Sequence, residues 1–200
     1  MPPARSLFLA LTLFPLALPS SGRAQEGSFA FQLRGGWTAP VSDFRRGDGS
    51  WQGSAGQGPN FSMGFTFPAP GPLGAYLGFG QRVFECDPSV CPEGEDWTAT
   101  GFDVALRWVV GEGGLRGWLQ GGLHTSRLEG KITGPSGKGM ALTSDGGSGI
   151  EVGLGALVSI GRRTSLVPGI HYGWGRVPFP ERPSVRLRYI VFDLGILMGF

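Results

Sequence analysis

Eight stretches of this chain alternate between large apolar residues and small or polar ones. A period of two belongs to extended strands, whose successive side chains point to opposite faces. The first stretch sets Phe29, Phe31, Leu33 and Trp37 against Gln32, Arg34 and Gly36. The second sets Phe61, Met63, Phe65 and Phe67 against Ser62, Gly64 and Thr66. In the third, Leu77, Phe79 and Val83 oppose Gly78, Gly80 and Arg82, and in the fourth Phe102, Val104, Leu106 and Trp108 oppose Asp103, Ala105 and Arg107. The fifth, less regular, places Leu115, Leu119 and Leu123 opposite Trp118, Gln120, Gly122 and His124. The sixth runs from Ile150 to Ile160 with Glu151, Gly153 and Gly155 on its small face. The seventh opposes Leu166, Ile170, Tyr172 and Trp174 to Gly169, His171 and Gly173. The eighth carries Ile190, Phe192, Leu194, Ile196, Met198 and Phe200 against Tyr189, Asp193 and Gly195. Gly and Pro bound these stretches, and none has a helical period. Glycine makes up 37 of 200 residues, and each one inside a helix costs about 1 kcal/mol relative to Ala.

The connections alternate as well. Residues 38–60, 85–98, 126–148 and 175–185 read as long and polar, whereas Pro68–Gly74, Gly111–Gly114 and Gly161–Thr164 are short. Long and short connections taking turns are the layout of a transmembrane β-barrel. A soluble sandwich or lipocalin-like barrel shares the alternation, with its apolar face turned inward. Two features decide between them. The small face is sparse and dominated by glycine, which suits the crowded interior of a narrow barrel. The apolar face is almost free of charge and ends in aromatics (Trp37, Phe61, Trp108, Tyr172, Trp174), as an interfacial girdle requires. The expected fold is therefore all-β, an eight-stranded antiparallel transmembrane barrel whose apolar face meets lipid. The first and last strands should pair, because lipid cannot satisfy a free strand edge.

The start of the chain reads as an export signal. Arg5 precedes the uncharged run Leu7–Leu18, and Gly22-Arg23-Ala24 supplies a small-x-small cleavage site. Twelve apolar residues are too few to span a bilayer as a helix, which takes about 20. Residues 1–24 are accordingly read as signal peptide and 25–200 as a single barrel domain. The whole chain has 17 basic and 15 acidic residues. Loss of Arg5 and Arg23 leaves 15 of each, a net charge of zero, and the only lysines are Lys131 and Lys138. A water-exposed surface usually carries more. Cys86 and Cys91, in the segment CDPSVC, suit a local disulfide in an oxidising compartment. Two cysteines without a nearby His make only half a metal site, so no metal or cofactor is expected.

Inside such a barrel, Arg34, Arg82, Arg107 and Arg116 share the small face with Asp103, Glu151 and Asp193. Unpaired buried charge is costly, so these residues are expected to form a salt-bridged network that His124 and His171 join or adjoin.

With these features the mature chain resembles the small outer-membrane β-barrel proteins of Gram-negative-type bacteria, of the OmpA-barrel and OmpX kind. The sharpest element is the terminal FDLGILMGF, with Phe192, Leu194, Ile196, Met198 and Phe200 on one face and an aromatic last residue. The resemblance implies an outer-membrane location and an assembly signal in that strand, read by the barrel-assembly machinery after chaperoned periplasmic transit. It also implies a monomer embedded in outer-membrane lipid.

Other functions find less support. His124 and Ser126 faintly resemble the lipid A deacylase type, but that chemistry needs its groups on the lipid-exposed side, and the alternation turns both inward. Eight strands leave no open pore, and Trp118, Tyr189, Leu157 and Leu197 help fill the interior. Arg46-Gly47-Asp48 is an RGD triplet too short to carry an adhesion reading, while Phe44, Trp51 and Trp97 are loop aromatics suited either to surface contacts or to resting on the barrel rim. The basic residues are dispersed, which argues against a nucleic-acid partner. The reading is a non-enzymatic barrel with a structural or surface-interaction role through long external loops. A narrow channel is the alternative, and an outer-membrane lipid-modifying enzyme the next.

Overall fold

A computed structural model of the chain describes residues 29–41, 44–45, 52–53, 55–69, 71–86, 95–133, 139–180 and 182–200. The export-signal segment 1–24, the RGD triplet, Trp51 and Cys91 lie outside the described residues. Eight strands form the barrel: β1 (Ala30–Pro40), β2 (Gly58–Pro68), β3 (Leu73–Glu85), β4 (Asp96–Val110), β5 (Leu115–Thr133), β6 (Gly147–Ser159), β7 (Thr164–Phe179) and β8 (Arg182–Gly199). Each pairs antiparallel with the next. β1 pairs with β8 from Ala30↔Gly199 to Pro40↔Tyr189, so the sheet closes. At the end holding both strand termini, tight turns join β2 to β3 and β4 to β5. There Gly71 (φ 75°), Gly111 (φ 94°) and Gly113 (φ 76°) adopt the left-handed conformation that side chains disfavour.

Strand structure extends into segments that the sequence marks as loops. β5 continues to Thr133 and pairs with Gly139–Thr143, so much of 126–148 is a β-ribbon and Ser126 lies within a strand. The stretch 175–185 is mostly strand too: β7 and β8 stay paired through Val177↔Val185 to Phe179↔Arg182. Its three prolines and three charged residues mask the pairing in sequence. Trp97 is likewise no surface aromatic. It lies in β4, fully buried.

What Trp97 is buried in explains the extension. From β3 to β8 the sense of the alternation reverses partway along the strands. Nearer the termini, the outward residues are apolar and exposed, among them Leu77, Phe102, Leu123, Leu154, Ile170 and Leu194. Further out the exposed residues become Glu85, Asp96, Arg127, Glu129, Arg176, Arg186 and Arg188. There the apolar residues turn inward: Phe84, Trp97, Leu128, Val177, Phe179, Val185 and Leu187 pack into one buried cluster. Ala55, from the β1–β2 connection, also packs into it and bridges to Cys86.

The reversal runs as a line around the wall. Trp174 pairs with Arg188 and with Ile150, Ile150 with Leu123, and Phe102 with Phe79. Beyond each apolar member comes Arg176, Ser148, Thr125, Thr100 or Gln81. A barrel in lipid is apolar outside, and one in water is apolar inside, because apolar surface is driven from water in both cases. The line therefore divides a membrane-spanning half from a half that stands in water. A transmembrane β-strand needs about 9–11 residues, and β5, β7 and β8 have 19, 16 and 18.

Candidate functional site

The polar interior of the membrane-spanning half is built by every strand from β1 to β8. Its inward positions include three buried arginines (Arg34, Arg82, Arg107) and three buried carboxylates (Asp103, Glu151, Asp193). Arg82 Nη2 donates to Glu151 Oε2 at 2.7 Å and lies 3.6 Å from Asp103 Oδ1. Arg34 Nη1 lies 3.5 Å from Asp193 Oδ2 and donates to His171 Nε2 at 2.7 Å. His171 Nδ1 lies 3.2 Å from Glu151 Oε1, and its Nε2 lies 3.4 Å from Asp193 Oδ2. His171 thus links the Arg34–Asp193 pair to the Arg82–Glu151 pair. Two tyrosines complete the layer: Arg34 Nη2 donates to the Tyr76 hydroxyl at 2.8 Å, and the Tyr189 hydroxyl donates to Glu151 Oε2 at 3.2 Å.

The remaining charged candidates are Arg107, Arg116 and His124. Arg107 is held by amides: its Nε and Nη2 donate to Gln120 Oε1 at 3.0 and 2.7 Å, and its Nη1 to Gln32 Oε1 at 2.8 Å. Its guanidinium also lies between the rings of Tyr76 and Trp118, 5.2 and 4.9 Å from their centroids. Arg116 sits half-buried at the start of β5, two residues from Trp118 on the side of the termini. His124 is buried against the Tyr189 ring, with centroids 6.0 Å apart. Gln32, Tyr76, Gln120 and Tyr189 are the partners that sequence reasoning did not assign to the network. Their inward phase was readable, but their pairing depends on the register of several strands.

Glycines make room for the rings. A Cβ on Gly173 would collide with the ring of Tyr189, one on Gly153 with His171, and one on Gly64 or Gly78 with Tyr76. Below the ionic layer, towards the termini, Trp118, Leu157 and Val167 form a second apolar cluster. The interior is therefore stacked as an apolar plug, an ionic layer, an amide-held arginine and a second apolar layer.

A closed sheet with a lipid-facing apolar band, a self-neutralising ionic interior and a plugged water-side half defines a small transmembrane β-barrel of the outer-membrane type. Solved structures that it resembles agree. Neisserial surface protein A is 13% identical with a TM-score of 0.57, covering 86% of this chain and 97% of that one. The outer membrane protein OprG from Pseudomonas aeruginosa is 11% identical with a TM-score of 0.55, covering 87% and 97%. A major outer membrane protein from Thermus thermophilus is 14% identical with a TM-score of 0.55, covering 88% and 100%. No family model and no curated protein matches the sequence.

Proposed function

We propose that the chain is an integral outer-membrane barrel with a structural and surface-interaction role, its water-side half acting as a rigid platform for the connections at that end. The observation that carries this reading is the reversal of the alternation. It turns the outer half of the barrel into a water-standing body with its own core, closed by Trp97, Phe84, Leu128, Val185 and Leu187, each at most 1% exposed. The same plug argues against the alternative of a narrow channel, since a conducting path would have to cross it and then the paired ionic layer. An outer-membrane lipid enzyme is less favoured, because His124 and Ser126 are buried inside the wall and away from lipid.

In this reading residues 1–24 are removed on export and Cys86 pairs with Cys91. The strand face of Phe192, Leu194, Ile196, Met198 and Phe200 serves as the signal for the barrel-assembly machinery. Purified outer membranes should contain the chain as a band whose gel mobility shifts on boiling, and the folded protein should give no steady current across a planar bilayer. A soluble periplasmic protein without a heat shift would overturn the membrane reading. Steady porin-like conductance would restore the channel.

A further inference from the structure

At the line where the outer wall turns from apolar to polar, β7 and β8 place three arginines side by side. Arg176 pairs directly with Arg186, and Arg188 pairs with Trp174 one step nearer the apolar band. The backbone of Arg188 bonds towards β1, its carbonyl accepting from Val41 N–H, and that of Arg186 has the same phase. The Arg176–Arg186 pair is therefore of the non-hydrogen-bonded kind, with Cα atoms about 4.5 Å apart and side chains close. Arg188 follows Arg186 at roughly 7 Å along the same face. All three are exposed. Like charges directly opposed across a ladder are destabilising.

Elsewhere on the outer wall two cations are neutralised. Arg127 lies 3.1 Å from Glu129, and Lys131 Nζ lies 2.5 Å from Glu95. Arg176, Arg186 and Arg188 make no ion pair among the described residues. Asp145, whose N–H bonds to the Pro178 carbonyl, makes none with them either. Ser148, opposite Arg176 on β6, adds a hydroxyl donor beside the patch. Trp174, 37% exposed next to Arg188, fixes its depth, because exposed tryptophans in membrane barrels sit at the interface.

We infer that Arg176, Arg186 and Arg188 form a site for the uncapped phosphomonoester of an anionic lipid headgroup in the leaflet that surrounds the barrel. The acyl chains would lie along the apolar band towards Ile170, Ile190 and Phe192. Guanidinium groups match phosphate oxygens through paired N–H donors, so one phosphate between the opposed arginines turns a repulsive pair into a bridged one. This inference rests on the outer-membrane reading above.

The test is to fold the barrel into phosphatidylcholine vesicles with and without phosphatidic acid, and to measure bound phosphatidic acid by native mass spectrometry. The variant R176Q/R186Q/R188Q should retain about tenfold less than the parent, the factor expected for loss of a charge-assisted hydrogen bond. R127Q, at a site already neutralised, should retain as much as the parent. The sign of a stability change gives a second readout. R186Q alone should unfold at higher urea than the parent in pure phosphatidylcholine, where it relieves repulsion, and at lower urea when phosphatidic acid is present. Equal retention by the triple variant, or the same sign for R186Q in both vesicles, would overturn the site. So would inorganic phosphate that protects the parent as well as phosphatidic acid does, since the ligand would then be a free anion. A barrel that enters neither vesicle and shows no heat-dependent gel shift would instead sink the membrane reading itself.

Discussion

The indole N–H of Trp118 donates to the carbonyl of Ala156 at 3.2 Å, and that carbonyl faces Pro168 across the β6–β7 ladder. Even-numbered residues of β7 direct their backbone groups to β6, so an ordinary residue at position 168 would donate to Ala156. Proline has no N–H to give, and the ladder is interrupted there, between Leu166↔Val158 and Gly169↔Gly155. In a wall surrounded by lipid, a bare carbonyl costs several kcal/mol. Trp118 supplies the missing donor from inside the barrel.

The two residues should therefore be energetically coupled. Trp118→Phe keeps most of the packing on Arg107 but removes the donor, and should destabilise the folded barrel by about 1–3 kcal/mol. Pro168→Ala restores a ladder amide, and in that background Trp118→Phe should cost less than about 1 kcal/mol. Urea unfolding in vesicles, followed by gel mobility over the full double-mutant cycle, measures the difference. Strict additivity would refute the substitution of indole for amide.

The ionic layer makes a graded prediction. Glu151 contacts Arg82, His171 and Tyr189, whereas the Asp103 carboxylate accepts no hydrogen bond from the described residues and lies 3.6 Å from Arg82. Removing one member of a buried pair typically costs about 3–5 kcal/mol. Glu151→Leu should lose that much, and Asp103→Asn distinctly less. Glu129→Gln, an exposed acid beside Arg127, should lose under about 1 kcal/mol. Thermal unfolding of the three variants should reproduce this order, and a loss at Glu129 equal to that at Glu151 would contradict it.

Glycine-to-alanine substitutions should divide by face. Gly173 faces the Tyr189 ring, so Gly173→Ala should cost about 1–3 kcal/mol through overpacking and lower the folded fraction in vesicles. A Cβ added to Gly121, on the outer face of β5, would meet nothing within 4 Å, and Gly121→Ala should leave folding unchanged or improved. Equal effects at the two sites would mean that the interior glycines are not ring seats.

The strands and their faces were legible because the lipid-facing half imposes a single rule, large apolar outside and small or polar inside, on all eight. Strand ends were not. In Arg186-Leu187-Arg188-Tyr189 the period of two persists, but the apolar residues have moved to the inward phase, and prolines at 178, 180 and 183 make the segment look like a turn. The charged residues of the interior could be named from their phase alone. Their partners could not: Arg34 meets His171 across 137 residues, and Arg82 meets Glu151 across 69. Those contacts depend on the cumulative stagger of strands that pair only when the barrel closes. Tyr76 was missed for a related reason, since an inward aromatic acquires its role from Gly64 and Gly78, which make room for its ring.

The reversal line predicts how deeply each outward position sits in the bilayer. Leu194, 57% exposed on β8, belongs to the lipid-facing band, and Arg186, eight residues earlier on the same outward phase, lies beyond the line. A fluorophore attached at L194C should be strongly quenched by bromine-bearing acyl chains and shielded from iodide in water. The same fluorophore at R186C should show the opposite pattern. Inward positions should invert the rule for stability. Leu187→Ala removes a fully buried side chain from the water-standing core and should cost about 2–5 kcal/mol, although the site lies outside the membrane. Leu194→Ala leaves no cavity, since lipid fills the space, and should cost under about 1 kcal/mol. Quenching of both labels by brominated chains would place the line too near the termini and would remove the case for a water-standing half.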